Sequence, residues 1–307
     1  MFGCNSTKSQ NPVSSHPENN YSYSVDSISF GDKDQPLKGV LFTPNSNSTV
    51  PALIIIQGSG PIDMDGLATG ITFPAYKVWA ESLSVSGIAV LRYNKHYMTY
   101  PHQDPLSIAE STQVADIIKA ANFLKTRMKI NSSKIFVLGH SEGGSLVPVA
   151  ASWHKGLFAG IICAAATAIP VDKLFCMQLK AQGVSSNLIS QTQSAFQAVR
   201  NGTAPANGYI WGAGIQYWRE WILYSEKADS FLVAANIPTL ILQGLSDENY
   251  PDSALSINIS KWQDICDKTS NCSFQTFPGA SHNFLDITKS KIDTNFINAI
   301  KIWIHTK

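Results

Sequence analysis

The sequence is poor in charge and lacks any long apolar run. Acidic and basic residues make up 15% of its 307 positions, against about 25% in an average globular domain. The two signs nearly cancel, at a net charge of +1, which gives no reason to expect nucleic acid or an acidic surface as a partner. No apolar stretch reaches the roughly 20 residues that a membrane span needs. The hydrophobic fraction of 44% is enough for a large core, either as one α/β domain with an insertion or as two domains.

The first 22 residues also lack hydrophobic periodicity and are rich in Ser, Asn and Pro, which is typical of a disordered tether. Cys4 lies near their start, after Phe2 and Gly3. This arrangement resembles the end of a bacterial lipoprotein signal, in which the cysteine carries the lipid. On that interpretation the protein is exported to the periplasm or envelope and tethered to a membrane. On the alternative interpretation Cys4 has no role and the protein is cytoplasmic.

Cysteine is scarce, and none of the five has a setting typical of a catalytic thiol. Cys163 lies in an apolar run and is expected to be buried as a small hydrophobic side chain, and Cys176 lies in a segment of helical periodicity. Cys266 and Cys272 flank a turn-like segment and are candidates for a small disulfide loop in an oxidising compartment. No spacing of His, Cys or carboxylate residues indicates a metal site, so neither a metal nor an organic cofactor is expected.

Short apolar runs alternate with segments of helical periodicity through most of the chain. Two strands of alternating polarity are expected at residues 23–30 and 37–42, and residues 52–57 form a fully apolar run typical of a strand buried on both faces. Further strands are predicted at residues 88–93, 134–138, 157–166, 238–243 and 273–277, and helices at residues 75–86, 107–128 and 292–304. This alternation predicts an α/β fold whose mostly parallel sheet is covered by helices on both faces.

The strand pattern disappears between residues 170 and 235, which divides the predicted core into residues 23–169 and 236–307. The intervening segment is expected to form several helices with Gly-rich breaks, and its position is that of a lid over an active site. It is dense in aromatic residues: Tyr209, Trp211, Tyr217, Trp218, Trp221, Tyr224 and Phe231. Four of them are candidates for lining a substrate pocket: Trp211, Tyr217, Trp218 and Trp221. The helical spacing of Tyr217, Trp221 and Tyr224 also favours plain packing against the core.

A serine stands between a predicted strand and a predicted helix, in the sequence Gly-His-Ser-Glu-Gly-Gly at residues 139–144. A serine on a sharp strand-to-helix turn brings the residues two before and two after it into close approach, so that small side chains are needed there. Gly139 and Gly143 occupy those places. This pattern indicates a nucleophile elbow with Ser141 as the nucleophile, the alternative being an ordinary Gly-rich turn.

Such a serine needs a base, and the base needs an acid to orient it. Of the seven histidines, His282 follows the last predicted strand and precedes the final helix, where a loop at the carboxyl edge of the sheet can bring it to Ser141. The acid is expected between the two, in the chain order Ser, Asp or Glu, His. Asp247 leaves the sheet after the strand at residues 238–243 and is the preferred candidate. Glu248 and then Asp252 are the alternatives.

Two backbone N–H groups are needed to stabilise an oxyanion. The residue after the nucleophile, Glu142, is expected to supply one. The sequence Gln-Gly-Ser-Gly-Pro at residues 57–61 follows an apolar strand, and its glycines allow the backbone to turn inward. We therefore expect the N–H of Ser59 to be the second donor, with a plain Gly-Pro turn as the alternative.

From about residue 23 to its C-terminus the chain resembles serine hydrolases of the α/β-hydrolase fold, close to bacterial esterases and serine aminopeptidase-like hydrolases. That group has His-Gly-Ser-Gly-Pro-x-Asp-Arg-Asp-Gly where residues 57–66 read Gln-Gly-Ser-Gly-Pro-Ile-Asp-Met-Asp-Gly, and Arg-Tyr-Asp-Lys-Arg where residues 92–96 read Arg-Tyr-Asn-Lys-His. Its Gly-His-Ser-x-Gly-Gly motif matches at Ser141. The departures are at Gln57, Met64, Asn94 and His96. They bear on the support of the loop and on substrate preference rather than on the triad.

The resemblance implies hydrolysis of a small-molecule ester by a Ser-His-Asp triad, with an apolar acyl or alcohol part favoured by the aromatic lid. Peptidase-like activity would need an acidic group to anchor a substrate amine, and Glu142 and Glu220 are the candidates. Thioesterase activity on the same triad stays open. So does a different class, a non-catalytic protein of the same fold that binds an apolar ligand or partner.

Overall fold

The computed structural model describes residues 20–100 and 109–307. Cys4 and most of the predicted tether lie outside the described residues, as does the predicted start of a helix at residue 107. Within the described ranges, no helix combines the length and the apolar composition that a membrane crossing requires. The lipid anchor and the localisation stay predictions.

Eight strands form one mixed sheet: β1 (Tyr23–Phe30), β2 (Leu37–Pro44), β3 (Val50–Ile56), β4 (Ala89–Tyr93), β5 (Ile130–His140), β6 (Gly160–Ala164), β9 (Thr239–Gly244) and β10 (Cys272–Phe277). Their order across the sheet is β1-β2-β4-β3-β5-β6-β9-β10. Strand β1 pairs antiparallel with β2 and β2 with β4, and all the remaining neighbours in this sheet are parallel.

Ten helices are found in the described part of the chain, six of them outside the aromatic segment. The six are α1 (Ala75–Ser84), α2 (His96–Thr99), α3 (Glu110–Lys125), α4 (Gly143–Trp153), α9 (Asp252–Lys268) and α10 (Thr294–Thr306). The parallel strands are joined mainly through these helices, because parallel neighbours need a crossover connection.

The central strands of the sheet are buried on both faces, and β3 shows how this burial leads to an apolar sequence. Ile54 and Ile56 belong to the core that lies under α3, α4 and α9, whereas Leu53 and Ile55 point to the other face and pack in the core with α1 and α10. Successive side chains of a strand point to opposite faces. A strand covered on both sides therefore favours apolar residues on both of its faces.

Residues between β6 and β9 form a separate helical layer with its own small core. The helices are α5 (Val171–Ala181), α6 (Ser186–Arg200), α7 (Ile215–Glu226) and α8 (Ala228–Ala235). Phe196 and Val199 of α6 pack there with Trp218, Trp221 and Ile222 of α7. The expectation of helices alone in this segment is wrong in one respect, since β7 (Tyr209–Ile210) and β8 (Ala213–Gly214) form a hairpin. Strands of two residues are too short to show an alternating pattern.

The predicted elements differ from the observed ones mainly at their ends. The strand expected at residues 134–138 begins at Ile130, and the strand expected at residues 157–166 is shortened to β6. Register between β3 and β5 shifts between Val50 and Ala52, so that Val50 pairs with Ile130 while Ala52 pairs with Ile135. Polar residues 131–134 lie within this irregular part of β5, where the apolar signal is interrupted.

Cys266 at the end of α9 and Cys272 at the start of β10 form a disulfide, one of the two states that the sequence left open. The bond closes the short connection from the helix to the edge strand. Cys163 is free and buried, as expected for a small hydrophobic side chain, and Cys176 of the helical segment is also free and buried.

Candidate active site

Ser141 lies on the sharp turn between β5 and α4, in a conformation that few residues other than glycine adopt. Its φ is 54°, in the left-handed region. A Cβ atom on Gly139 would overlap the backbone of Gly143, and one on Gly143 would lie 2.8 Å from the carbonyl oxygens of Ile56 and Gln57. Gly139 is therefore required by the turn itself, and Gly143 by the close packing of the turn against the end of β3.

The Ser141 side chain opens onto a cavity of about 480 Å³ that His282 also lines. Within residues 20–100 and 109–307, no hydrogen bond is recorded for the Ser141 hydroxyl. Its proton is free to rotate, because a serine hydroxyl turns about its C–O bond towards whichever acceptor is near. The hydroxyl-bearing Ser141 and the imidazole-bearing His282 therefore line the same cavity.

His282 forms a close pair with Asp247, 35 positions earlier in the chain. Its Nδ1 atom lies 2.9 Å from each carboxylate oxygen of Asp247. Burial alone would lower the pKa of His282, but the carboxylate opposes this and the net pKa lies above the usual value of 6.5. Burial likewise would raise the pKa of Asp247, whereas His282 brings it below its usual value. Asp247 is therefore ionised at neutral pH and Nδ1 carries the proton donated to it.

The two alternative acids occupy other positions. Glu248 accepts a hydrogen bond from the backbone N–H of His282 at 3.0 Å, so it holds the histidine loop rather than the imidazole. Asp252 is the exposed first residue of α9. Of the three carboxylates considered from the sequence, Asp247 is the one whose side chain contacts the imidazole.

A buried amide network that sequence reasoning missed fixes the carboxylate of Asp247. Gln243, at the end of β9, donates from Nε2 to Asp247 Oδ2 at 2.9 Å, and Asn249 N donates to Oδ1 at 3.0 Å. Asn258 of α9 in turn donates to Gln243 Oε1 at 3.1 Å and to the Ala166 carbonyl at 3.0 Å. The glutamine that ends an otherwise apolar buried strand was the sequence signal for this network.

His140 is a second buried imidazole that links three loops of the site. Tyr76 of α1 donates from its hydroxyl to His140 Nδ1 at 2.8 Å and accepts the N–H of Gly58 at 3.1 Å. His140 Nε2 lies 2.9 Å from the carbonyl oxygen of His282 and donates to it. Burial and the neighbouring His282 lower the pKa of His140 to about 3, so this imidazole is neutral.

The two expected oxyanion donors, Ser59 and Glu142, line the same cavity as Ser141. No hydrogen bond from either backbone N–H is recorded within the described part of the chain. The loop that carries Ser59 passes close to Ser141, since a Cβ atom on Gly58 would lie 3.1 Å from the Cβ of Ser141. Unpaired N–H groups beside a nucleophile are typical of an anion-binding site.

Two of the residues at which this chain departs from the expected motifs, Gln57 and Asn94, hold that loop in place together with Arg92. Gln57 donates through Nε2 to the carbonyl oxygen of Tyr93. Asn94 Oδ1 accepts the backbone N–H of Met64 at 2.8 Å, and Arg92 donates to the carbonyl oxygen of Met64 at 2.8 Å. The loop is therefore supported by backbone and amide contacts despite these departures.

A buried charged cluster lies beside Ser141. Lys95 Nζ is 2.8 Å from Glu142 Oε2, and the exposed fractions of the two side chains are 4% and 0%. Tyr217 of α7 donates its hydroxyl to the other oxygen of Glu142. Burial, and then the charge of Glu142, raise the pKa of Glu110 well above its usual range. Lys95 and Glu142 form a buried pair of opposite charges beside this carboxyl.

All four aromatic candidates line the cavity, together with Val171, Leu174 and Phe175 of α5. The indole N–H groups of two of these aromatic residues are already paired. Trp218 donates to the Ile210 carbonyl at 2.8 Å, and Trp221 donates to Ser145 Oγ at 3.3 Å. Tyr224, by contrast, packs in the main core, as the alternative interpretation of its helical spacing predicted. The helical layer therefore presents mainly ring surfaces to the space above Ser141.

No group of three or more His, Cys, Asp and Glu side chains in the described ranges is arranged to hold a metal ion.

A mostly parallel sheet flanked by helices, with a serine elbow after β5 and an acid and a histidine after β9 and β10, defines an α/β hydrolase. The α/β-hydrolase fold predicted from the sequence is thus confirmed.

More particularly, the chain belongs to the prolyl oligopeptidase family, whose sequence profile matches residues 109–304. Esterase EstD of Thermotoga maritima is 27% identical over 296 residues, which cover 91% of this chain and 69% of that protein. The matched family segment includes Ser141, Asp247 and His282, and the loop of Ser59 precedes it.

Solved structures of α/β hydrolases share the fold. Est1E from Butyrivibrio proteoclasticus superposes with a TM-score of 0.60 at 18% identity, covering 91% of this chain and 98% of that one. A proline iminopeptidase from Mycobacterium smegmatis gives a TM-score of 0.60 at 14% identity, with coverage of 92% and 98%. At such identities these likenesses show the fold alone, and they include proteins named for different substrates.

Proposed function

We propose that the protein is a serine hydrolase that cleaves carboxylic esters of small or medium apolar acyl groups through an acyl-enzyme intermediate. The observation that carries this proposal is one cavity lined by Ser141, by the His282 imidazole paired with Asp247, and by Ser59 and Glu142. The backbone N–H groups of Ser59 and Glu142 have no hydrogen-bond partner among the residues that the structure describes.

In the first half-reaction His282 Nε2 accepts the proton of Ser141 as its oxygen attacks the ester carbonyl. The carbonyl oxygen becomes an oxyanion, which the N–H groups of Ser59 and Glu142 stabilise. Asp247 stabilises the imidazolium that forms. His282 then gives its proton to the alkoxy oxygen, the C–O bond breaks, and the alcohol leaves while the acyl group stays on Ser141.

In the second half-reaction water attacks the acyl-enzyme. His282 accepts a proton from this water, the same two N–H groups hold the second oxyanion, and the proton returns to the oxygen of Ser141. The carboxylic acid leaves and the serine is regenerated.

The charges around the cavity favour an ester over a substrate with a free amine. An amine would need an unpaired carboxylate, but Glu142 is already paired with Lys95 and Tyr217. Glu220, the other candidate anchor, accepts hydrogen bonds from Ser111 and Gln216 and does not line the cavity. The similarity to an esterase supports the same choice.

The helical layer α5–α8 serves in this proposal as a lid that supplies the acyl-binding surface. Ring and aliphatic side chains bind an apolar chain by removing its surface from water, at about 25 cal/mol per Å². The cavity volume of about 480 Å³ lies within the range of roughly 300–1,000 Å³ typical of small-molecule sites.

The test of substrate class is a panel of p-nitrophenyl esters of increasing acyl length, run beside amino-acid p-nitroanilides and acyl thioesters. We expect kcat/KM to be highest for the short and medium oxygen esters and to fall for the charged aminoacyl anilides. Higher kcat/KM for the anilides would contradict the ester proposal and favour a peptidase, and higher values for the thioesters would favour a thioesterase.

The proposal also predicts the pH dependence of turnover. His282 must be neutral to accept a proton, and its pKa lies above 6.5. The value of kcat/KM is therefore expected to rise with pH through this raised pKa and to be lost as pH falls below it. Titration of His140 adds no second inflection to the pH profile in that range, because its pKa is lowered to about 3. The measurement is a rate profile from pH 5 to 9, and a rate that stays flat down to pH 5 would contradict it.

A further inference from the structure

One buried ammonium contacts both sides of the proposed oxyanion site. Lys95 Nζ lies 2.6 Å from the carbonyl oxygen of Gly58 and 3.4 Å from that of Gly60, the residues before and after Ser59. The same nitrogen lies 2.8 Å from the carboxylate of Glu142. The three hydrogens of an ammonium can be directed to three acceptors, so Lys95 connects two loops that are separated by some 80 positions in the chain.

The contact with Gly58 acts directly on the first donor. The carbonyl of Gly58 and the N–H of Ser59 belong to the same peptide unit, whose electrons are delocalised over the C–O and C–N bonds. A positive donor on the oxygen draws electron density from the nitrogen and makes its N–H a stronger donor, as in other cooperative hydrogen-bond chains. The ammonium therefore polarises the peptide that supplies the Ser59 N–H.

The contact with Glu142 acts on the second donor through its side chain. Glu142 carries the other N–H and directly follows Ser141, and its carboxylate is held by Lys95 and by Tyr217. A side chain fixed at its end limits rotation of its own backbone. The buried pair thus restrains the peptide between Ser141 and Glu142.

Lys95 remains charged in this position. Burial lowers its pKa, but the carboxylate of Glu142 more than compensates and the net pKa lies above its usual value. The positive charge is available at all pH values at which the protein would be assayed.

We propose that Lys95 is a positioning residue for catalysis, which orients both oxyanion donors and polarises one of them. The inference rests on the proposed function, since it needs an oxyanion at Ser59 and Glu142. It goes further by assigning a role to a side chain outside the triad and the donors. Its effect should appear in the transition state and not in substrate binding.

The test is Lys95→Met, which keeps an unbranched side chain and removes the charge. We expect kcat on a p-nitrophenyl ester to fall by about 10²-fold, the effect of losing one oxyanion donor, with KM within about threefold of its original value. The affinity for an aryl trifluoromethyl ketone, which forms a tetrahedral oxyanion on serine, should fall by about the same factor as kcat. A loss that is merely structural would not make these two quantities change together.

The matched control is Lys119→Met, which removes another lysine paired with two carboxylates, Asp32 and Asp116, on a part of α3 that does not line the cavity. Its kcat should be unchanged. A folded Lys95→Met variant with kcat and ketone affinity within threefold of the unsubstituted protein would overturn the proposal, as would a rise in KM that accounts for the whole loss.

If Lys95→Met does not fold, Lys95→Gln takes its place, because its amide keeps one donor in the buried site. An intermediate loss of kcat at unchanged KM supports the inference, and an unchanged kcat overturns it. Ser141→Ala, assayed in parallel, distinguishes failure of the proposed function from failure of the role proposed for Lys95. Full activity of Ser141→Ala would reject the proposed function, whereas an inactive Ser141→Ala beside a fully active lysine variant rejects the role of Lys95 alone.

Discussion

Replacing Ser141 with alanine is expected to lower kcat for ester hydrolysis by about 10⁴-fold to 10⁶-fold, the range seen when a triad nucleophile is removed. Without the hydroxyl no acyl-enzyme can form, and His282 has no proton to accept. The fold should be unaffected, because Ser141 Oγ has no recorded hydrogen bond with the described residues and alanine is small enough for the turn. The measurements are initial rates on a p-nitrophenyl ester and the thermal unfolding midpoint.

A matched control is available on the helix that follows. Ser152 lies on α4, and its hydroxyl donates to the carbonyl oxygen of Val149 at 2.8 Å, away from the cavity. Ser152→Ala should keep full activity.

A fluorophosphonate should label the unsubstituted protein and Ser152→Ala but not Ser141→Ala. Folded, unsubstituted protein that resists labelling would favour the non-catalytic binding protein.

Replacing Asp247 with asparagine is expected to lower kcat by about 10⁴-fold at neutral pH. The amide keeps the size of the carboxylate but brings no negative charge, so it cannot stabilise an imidazolium. Its NH₂ group can also donate to Nδ1, which would place the histidine proton on Nε2, where Ser141 needs an acceptor. The measurement is kcat on the same ester across the pH range.

Asp252→Asn is the control for this change, since Asp252 was an alternative acid in the sequence and is exposed on α9. It should leave kcat within about twofold. Loss of activity in Asp252→Asn, together with retained activity in Asp247→Asn, would mean that the acid has been wrongly assigned.

Much of the site could be predicted because it follows from local patterns and chain order. A side chain at either glycine around Ser141 would collide with backbone atoms, those of the turn itself at Gly139 and those at the end of β3 at Gly143. The carboxyl ends of parallel strands meet at one edge of a sheet. The structure accordingly brings His282 to the cavity of Ser141 and within 2.9 Å of Asp247.

What sequence reasoning missed is a set of buried polar contacts between distant residues. His140 appeared only as a part of the elbow, yet it joins α1 to the histidine loop through Tyr76 and the carbonyl of His282. Lys95 appeared only as a match to a motif. Such contacts leave no periodic signal, because each depends on which strands become neighbours.

The sequence by itself determined the alternation of strands and helices, the elbow serine and the order of its candidate partners, because apolar periodicity and glycine sterics act over a few neighbouring residues. Only the tertiary structure decided which carboxylate faces the imidazole, that Glu142 is neutralised by Lys95, and that Trp218 and Trp221 turn towards the cavity while Tyr224 turns to the core. The reason is physical. A buried charge or polar group is stable only with a partner, and burial and partner are both set by packing between segments far apart in the chain.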